Sequence, residues 1–173
     1  MITTMVTRPR WRFTESACES FTWNTETYTA SGDYQQTFDE VVAKESLENG
    51  VRKATVDGQT KYVIPVKGRG LWGGLWGYIS VNEDKQNVFG AYFNHESETA
   101  GLGARIKERW FQEQFNGKPI FDASGNVALT VVKAGASQAE YEVDGVTGAT
   151  LTSKGVASMV LDGLKSYESF LKE

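Results

Sequence analysis

Thr147, Thr150, Thr152 and Ser153 place four hydroxyls within seven residues of the stretch Asp144-Gly-Val-Thr-Gly-Ala-Thr-Leu-Thr-Ser153. Gly145, Gly148 and Ala149 lie among them, and glycine permits close approach of a second molecule. The residues that follow read as a helix, whose first turn offers unpaired N–H groups and the positive end of a dipole. Together these can seat a phosphate, with Lys154 as a cation beside it. The same residue types also make an ordinary loop ending in a helix cap, and Lys154 reads equally well as a solvated lysine. Spacing alone leaves both readings open.

Other patterns carry less. Gly68-Arg-Gly70-Leu-Trp-Gly73 satisfies the G-x-G-x-x-G pattern and follows a strand. It does not open a helix, however, and no acidic residue stands at a fitting strand end about twenty residues on, so a dinucleotide fold is set aside. Glu96 and Glu98 could form a hydrolytic carboxylate pair, but acids in a loop are usually solvated and nothing supplies a partner. His95 reads as a surface or strand-end histidine and Cys18 as inert.

The chain has 173 residues, with one His and one Cys. No disulfide can form within it and no Cys/His zinc site can be built. A histidine-based nucleophile would have to use His95. The formal net charge of −4 argues against a nucleic-acid partner. Chemistry is left to hydroxyls, backbone amides, aromatics or a cofactor. No apolar run of about 20 residues and no signal-peptide core is present.

The elements that must position these loops read as an α+β domain. Residues 1–34 are Thr- and Ser-rich with isolated aromatics, and leave short strands, an irregular arm or a cloning-derived extension open. A helix is expected at 36–47. Strands at 51–56 and 60–66 flank Asp57-Gly58, a hairpin signal, with Pro65 expected at a strand end or edge. Leu75, Ile79 and Val81 alternate with Trp76, Tyr78 and Ser80, which predicts a strand antiparallel to a second at 88–93. A single helix is expected over 104–115, stopped by Asn116-Gly117 and Pro119. A turn at 122–126, a strand at 127–133 and an extended piece at 141–143 follow. In the last helix, 153–171, Val156, Met159, Val160, Leu164, Tyr167, Phe170 and Leu171 form one stripe, with Thr152 or Ser153 as N-cap.

Three of these stretches resemble motifs of one family. The 144–153 stretch resembles the flavinylation motif of FMN-binding domains, in which FMN is attached through its phosphate to the Thr that closes a Ser/Thr-Gly-Ala-Thr tetrad. Carried over, that residue is Thr150. Glu98-Thr-Ala-Gly-Leu-Gly103 resembles the second motif, Glu-Thr-Pro-Gly-Leu-Gly, with Ala100 in place of Pro. Gly70-Leu-Trp72, with Gly77-Tyr78 downstream, resembles the branch of the family formed by the C subunits of the sodium-translocating NADH:quinone reductases. The likeness covers about residues 50–173. It implies an FMN-binding domain over 36–173 with residues 1–35 as an arm of uncertain role, and an antiparallel twisted sheet whose C-terminal amphipathic helix follows the attachment loop.

The resemblance implies covalent FMN on Thr150. Asp144, Gly145, Thr147, Gly148, Ala149, Leu151, Thr152 and Lys154 would lie around the attachment, and Glu98, Thr99, Gly101, Leu102, Gly103 and Trp72 near the ring or ribityl chain. Leu71 is a further candidate. It implies an electron-carrier subunit that needs a magnesium-requiring, FAD-dependent flavin transferase, because a Thr hydroxyl is a poor nucleophile without activation. Its partners would be the other subunits of a membrane reductase, with the domain facing the periplasm or exterior. The family's N-terminal membrane helix is missing, which reads as a truncated soluble piece. An Rnf-type or extracellular electron-transfer host is one alternative. A module that holds a phosphorylated ligand reversibly, without redox chemistry, is another.

Overall fold

The structure is a computed structural model and describes residues 20–23, 26–29, 51–56 and 59–173. The expected helix at 36–47 and the Asp57-Gly58 turn lie outside these residues. Near the N-terminus, β1 (Ser20–Trp23) and β2 (Glu26–Thr29) form an antiparallel pair.

The centre is a four-stranded antiparallel sheet of β3 (Arg52–Val56), β4 (Gln59–Arg69), β5 (Gly74–Asn82) and β6 (Val88–His95), in that order. Alternation positions the strands: Leu75, Ile79 and Val81 are buried while Trp76 and Tyr78 are half-buried, but Ser80, expected on the face of the latter, is buried where the register shifts, its hydroxyl donating to the Gly90 carbonyl at 3.0 Å. Pro65 sits inside β4, opposite Tyr78, rather than at its end. The last register pair of β3 with β4 joins Arg52 to Val63, so Pro65 lies beyond that ladder, where a missing N–H costs least.

The expected helix over 104–115 is two pieces, a 3₁₀ helix at Gly103–Lys107 and α1 at Arg109–Glu113, with Glu108 extended between them. Ile106, Phe111 and Phe115 are all fully buried. On one continuous helix, positions five residues apart lie about 140° apart around the axis, so Ile106 and Phe111 could not both face the core. The break resolves this. Phe111 and Phe115 then pack on Phe93 with ring centroids 6.0 and 5.0 Å away.

The expected strand at 127–133 shortens to β7 (Thr130–Val132), which pairs with β8 (Glu142–Asp144) in parallel. The last helix starts earlier than expected. α2 is Thr150–Ser166, its N-cap is Ala149, and no side chain caps it. Thr152 and Ser153 lie in its first turn and are buried. The chain breaks at Tyr167 and ends in α3 (Glu168–Leu171).

α2 lies antiparallel along β4, held close by two glycines. A Cβ on Gly155 would stand 2.4 Å from the Arg69 carbonyl oxygen, and one on Gly163 would stand 2.5 Å from Val66 Cγ1. Val156, Met159, Val160 and Leu164 are buried in this contact. The start of α2 is thereby set against the end of β4, where the Gly70–Gly73 loop begins.

Candidate functional site

Three loops converge at that end of the sheet, and a carboxylate joins them. Glu98 follows β6 and is only 7% exposed. Its Oε1 accepts the Trp72 N–H at 2.8 Å and the Gly73 N–H at 3.4 Å. Its Oε2 accepts the Thr152 hydroxyl, in a very short bond. Burial pushes the Glu98 pKa up, but the Thr152 hydroxyl and the backbone N–H groups of Trp72, Gly73 and Leu71 outweigh it and hold the carboxyl below its ordinary value. The space around it admits no side chain: a Cβ on Gly70 would meet Glu98 Oε1 at 2.5 Å, and one on Gly103 would meet Thr152 Oγ1 at 2.5 Å.

The Glu98 loop is itself tied down. The Glu98 N–H donates to His95 Nδ1 at 3.2 Å. An accepting Nδ1 leaves the imidazole proton on Nε2, and Nε2 is buried with no partner among the described residues. Burial lowers the His95 pKa; the Lys107 charge lowers it further and Glu98 opposes both. His95 ends β6, as a strand-end histidine should. Downstream, the Thr99 carbonyl accepts the N–H groups of Leu102 and Ala104, closing the turn around Gly101. Ala100, in the family's proline position, lies in that closed turn.

The hydroxyl motif forms one wall of a cleft of about 430 Å³. Thr147, Gly148, Thr150, Ser153 and Lys154 line it together with Val131, Val132, Lys133, Ala134 and Val146. Gly148 adopts φ +77°, which turns the chain into α2. Ser153 Oγ accepts the Val146 N–H at 3.0 Å and donates to the Ala149 carbonyl at 2.9 Å, fixing the loop from within. Thr147 and Thr150 remain solvent-exposed, and among the described residues no side chain bonds to the Thr150 hydroxyl. Lys133 is a second cleft lysine that the sequence pattern does not single out. It sits just past β7, which packs against α2, so that both lysines line the cleft.

Beside the cleft, apolar side chains face solvent. Leu71, Trp72, Leu102 and Leu151 are 46, 64, 43 and 56% exposed. Their loops touch: a Cβ on Gly148 would be 3.2 Å from Leu102 Cδ2. Exposed apolar side chains beside a cleft can contact a ligand there.

Not every expected site residue lies at this surface. Asp144 turns away: its carboxylate accepts the Ser137 N–H at 3.0 Å, which holds its pKa below the ordinary value. Its backbone is clamped at both N–H and carbonyl by the Gln114 side chain. Gly145 is buried, its N–H bonded to the Val132 carbonyl. Glu98, Gly103 and Thr152 are buried behind the loops, and Ala149 beneath the helix start. Gly101 and Thr99 are exposed on the turn.

The chain belongs to the FMN-binding domain family, whose model matches residues 70–165. Among relatives, the Na(+)-translocating NADH-quinone reductase C subunit of Haemophilus ducreyi is 44% identical over 97 residues, covering 56% of this chain and 38% of that protein. The corresponding Vibrio anguillarum protein is 41% identical over 98 residues, with coverage of 56% and 38%. The chain thus spans well under half the length of these relatives. The crystal structure of the same reductase component from Parabacteroides distasonis superposes with a TM-score of 0.68 at 41% identity, over 90% of this chain and 78% of that one. Shewanella oneidensis NqrC gives 0.61 at 31% identity, over 70% and 60%.

The residues present fit FMN. A phosphate suits the end of the cleft where an uncapped helix start, two threonine hydroxyls, Lys133 and Lys154 converge. A flat aromatic ring suits the exposed Leu71, Trp72, Leu102 and Leu151 beside it.

Proposed function

We propose that Thr150 carries FMN through a phosphoester bond and that the chain is an electron-carrier subunit of a sodium-translocating NADH:quinone reductase. The observation that carries this reading is the Thr150 hydroxyl, exposed and free of side-chain partners, at the first residue of α2 in a cleft that also holds Lys133, Lys154 and Thr147. The likeness to the reductase C subunits and the Gly70-Leu-Trp72 segment favour that host over an Rnf-type one.

Flavin supplies one- and two-electron redox chemistry when bound; the chain's residues bind, orient and shield. Thr147 and the first N–H groups of α2 would hold the phosphate, with Lys133 and Lys154 offsetting its charge. The apolar quartet of Leu71, Trp72, Leu102 and Leu151 would offer the ring apolar contact. Attachment requires a partner enzyme, because among the described residues no base bonds to the Thr150 hydroxyl. In the transfer, the Thr150 oxygen bonds to the FMN-side phosphorus of FAD, the bond to AMP breaks, and the hydroxyl proton leaves. We place the flavin domain at 36–173, with the other reductase subunits as partners, at a membrane and facing the periplasm or exterior.

The test is intact mass after incubation with a magnesium-supplied flavin transferase and FAD. The expected gain is one FMN less one water, absent in Thr150→Ala and reduced less severely in Thr147→Val. An unmodified wild-type chain beside an active transferase overturns the reading.

A further inference from the structure

We propose that Glu98 is a positioning residue of this site: it touches no cofactor but sets Thr150 and the apolar quartet in register by bonding two loops at once. The inference rests on the flavin reading and goes further, since the sequence motif alone suggests that Glu98 lines the ring.

Three observations carry it. Glu98 is buried and is not among the cleft-lining residues. Its two oxygens divide their partners, with Oε1 on the Trp72 loop and Oε2 on the first turn of α2. Gly70, on the Trp72 loop, and Gly103, on the loop that carries Glu98 itself, come so close that a Cβ on either would strike the carboxylate or its Thr152 partner. Thr152 is two residues from Thr150, and Trp72 supplies the most exposed of the four apolar side chains. The carboxylate therefore fixes the distance between the attachment oxygen and the surface that would receive the ring. His95 sets the reach of the brace by accepting the Glu98 N–H.

The chemistry of the partners separates positioning from charge. The Oε1 partners are N–H groups, which only donate, whereas the Thr152 hydroxyl both donates and accepts. Glutamine can therefore replace Glu98, with its oxygen accepting the loop amides and its amide nitrogen donating to the Thr152 hydroxyl oxygen. Alanine can replace neither contact.

The experiment compares wild type, Glu98→Ala, Glu98→Gln and Thr152→Val by the rate of mass gain with transferase and FAD, and by amide exchange at Trp72 and Gly73 in the unmodified chains. Misplacing a reacting group by about 1 Å can slow a reaction about a hundredfold, so Glu98→Ala is expected to lose at least about tenfold in rate. It should also speed exchange at both amides. Glu98→Gln is expected to restore the rate to within about threefold and the amide protection with it. If Glu98→Ala does not fold, Thr152→Val carries the test, with slowed modification expected while Trp72 stays protected. Modification of Glu98→Ala at the wild-type rate overturns the inference. So does Glu98→Gln as slow as alanine, or Thr152→Val as fast as wild type where it carries the test. An unmodified wild type overturns the flavin reading itself, with the inference falling alongside it.

Discussion

At the β5–β6 turn the central sheet closes as soluble sheets usually do. Glu83 and Asp84 face solvent, while Tyr62 and Phe170 pack edge to face at 5.2 Å. Lys85, in the left-handed region at φ 58°, covers them: its Nζ donates to the Phe170 carbonyl at 3.0 Å and lies 4.1 Å from that ring. A charge is buried here, on Lys61, whose Nζ donates to Asn82 Oδ1 at 2.7 Å; at the opposite end apolar side chains are exposed as well. Leu71, Trp72 and Leu102 face solvent and a carboxylate is inside. Apolar exposure and polar burial both oppose folding. Their coincidence at one end shows where the molecule is shaped for something other than its own stability.

Removing packing should have the largest effect. Phe93→Ala, at the centre of the Phe93–Phe111–Phe115 cluster, is expected to cost about 3–5 kcal/mol by chemical denaturation. A cost below about 1 kcal/mol would mean that the core lies elsewhere.

Acid should act next, through the site end. Folding depresses the His95 pKa, so the unfolded chain binds a proton that the folded chain refuses. Stability therefore falls as pH drops below the ordinary imidazole value, and levels once the folded value is passed. Glu98 acts lower: its folded pKa is depressed, so its contribution is complete above the ordinary carboxylate range and is lost as pH falls through the folded value. Denaturation midpoints across pH 4–8 should show the upper step in wild type and not in His95→Gln. His95 is the chain's single imidazole, so an upper step that survives the substitution would place the acid sensitivity outside the site end.

The smallest effect on stability sharpens the contrast most. Trp72→Ala removes a side chain that is 64% exposed and leaves its backbone bond to Glu98 in place. Stability should stay within about 0.5 kcal/mol, while the absorption of an attached flavin should shift. A large stability loss with an unchanged spectrum would return Trp72 to packing.

Much of the architecture is legible in the sequence because it is local. Alternation at 75–81 gives β5, and the apolar stripe of 156–164 gives the buried face of α2. Where long-range packing decides, the sequence misleads. Nothing local at Glu108 marks a helix break; the break follows from the need to bury both Ile106 and Phe111. Thr152 and Ser153 look like caps, yet both hydroxyls are drawn inward, Thr152 by Glu98 from 54 positions away. Thr150 can be singled out by motif. The brace on Glu98 cannot, because it depends on which oxygen faces which loop. Lys133 is hidden for a similar reason: no sequence signal links it to Lys154 until β7 packs against α2.

Gly155 and Gly163 bear on any attempt to make the domain more robust. In a solvent-facing helix, glycine to alanine is a routine improvement of about 1 kcal/mol. In α2 the same change drives a methyl group to 2.4 Å from the Arg69 oxygen, or 2.5 Å from Val66. An engineer following helix propensity would lift α2 off β4, and with it Thr150 away from Trp72. Thermostable variants are better sought at exposed positions such as Ser158, Asp162 and Lys165, which face water on the same helix.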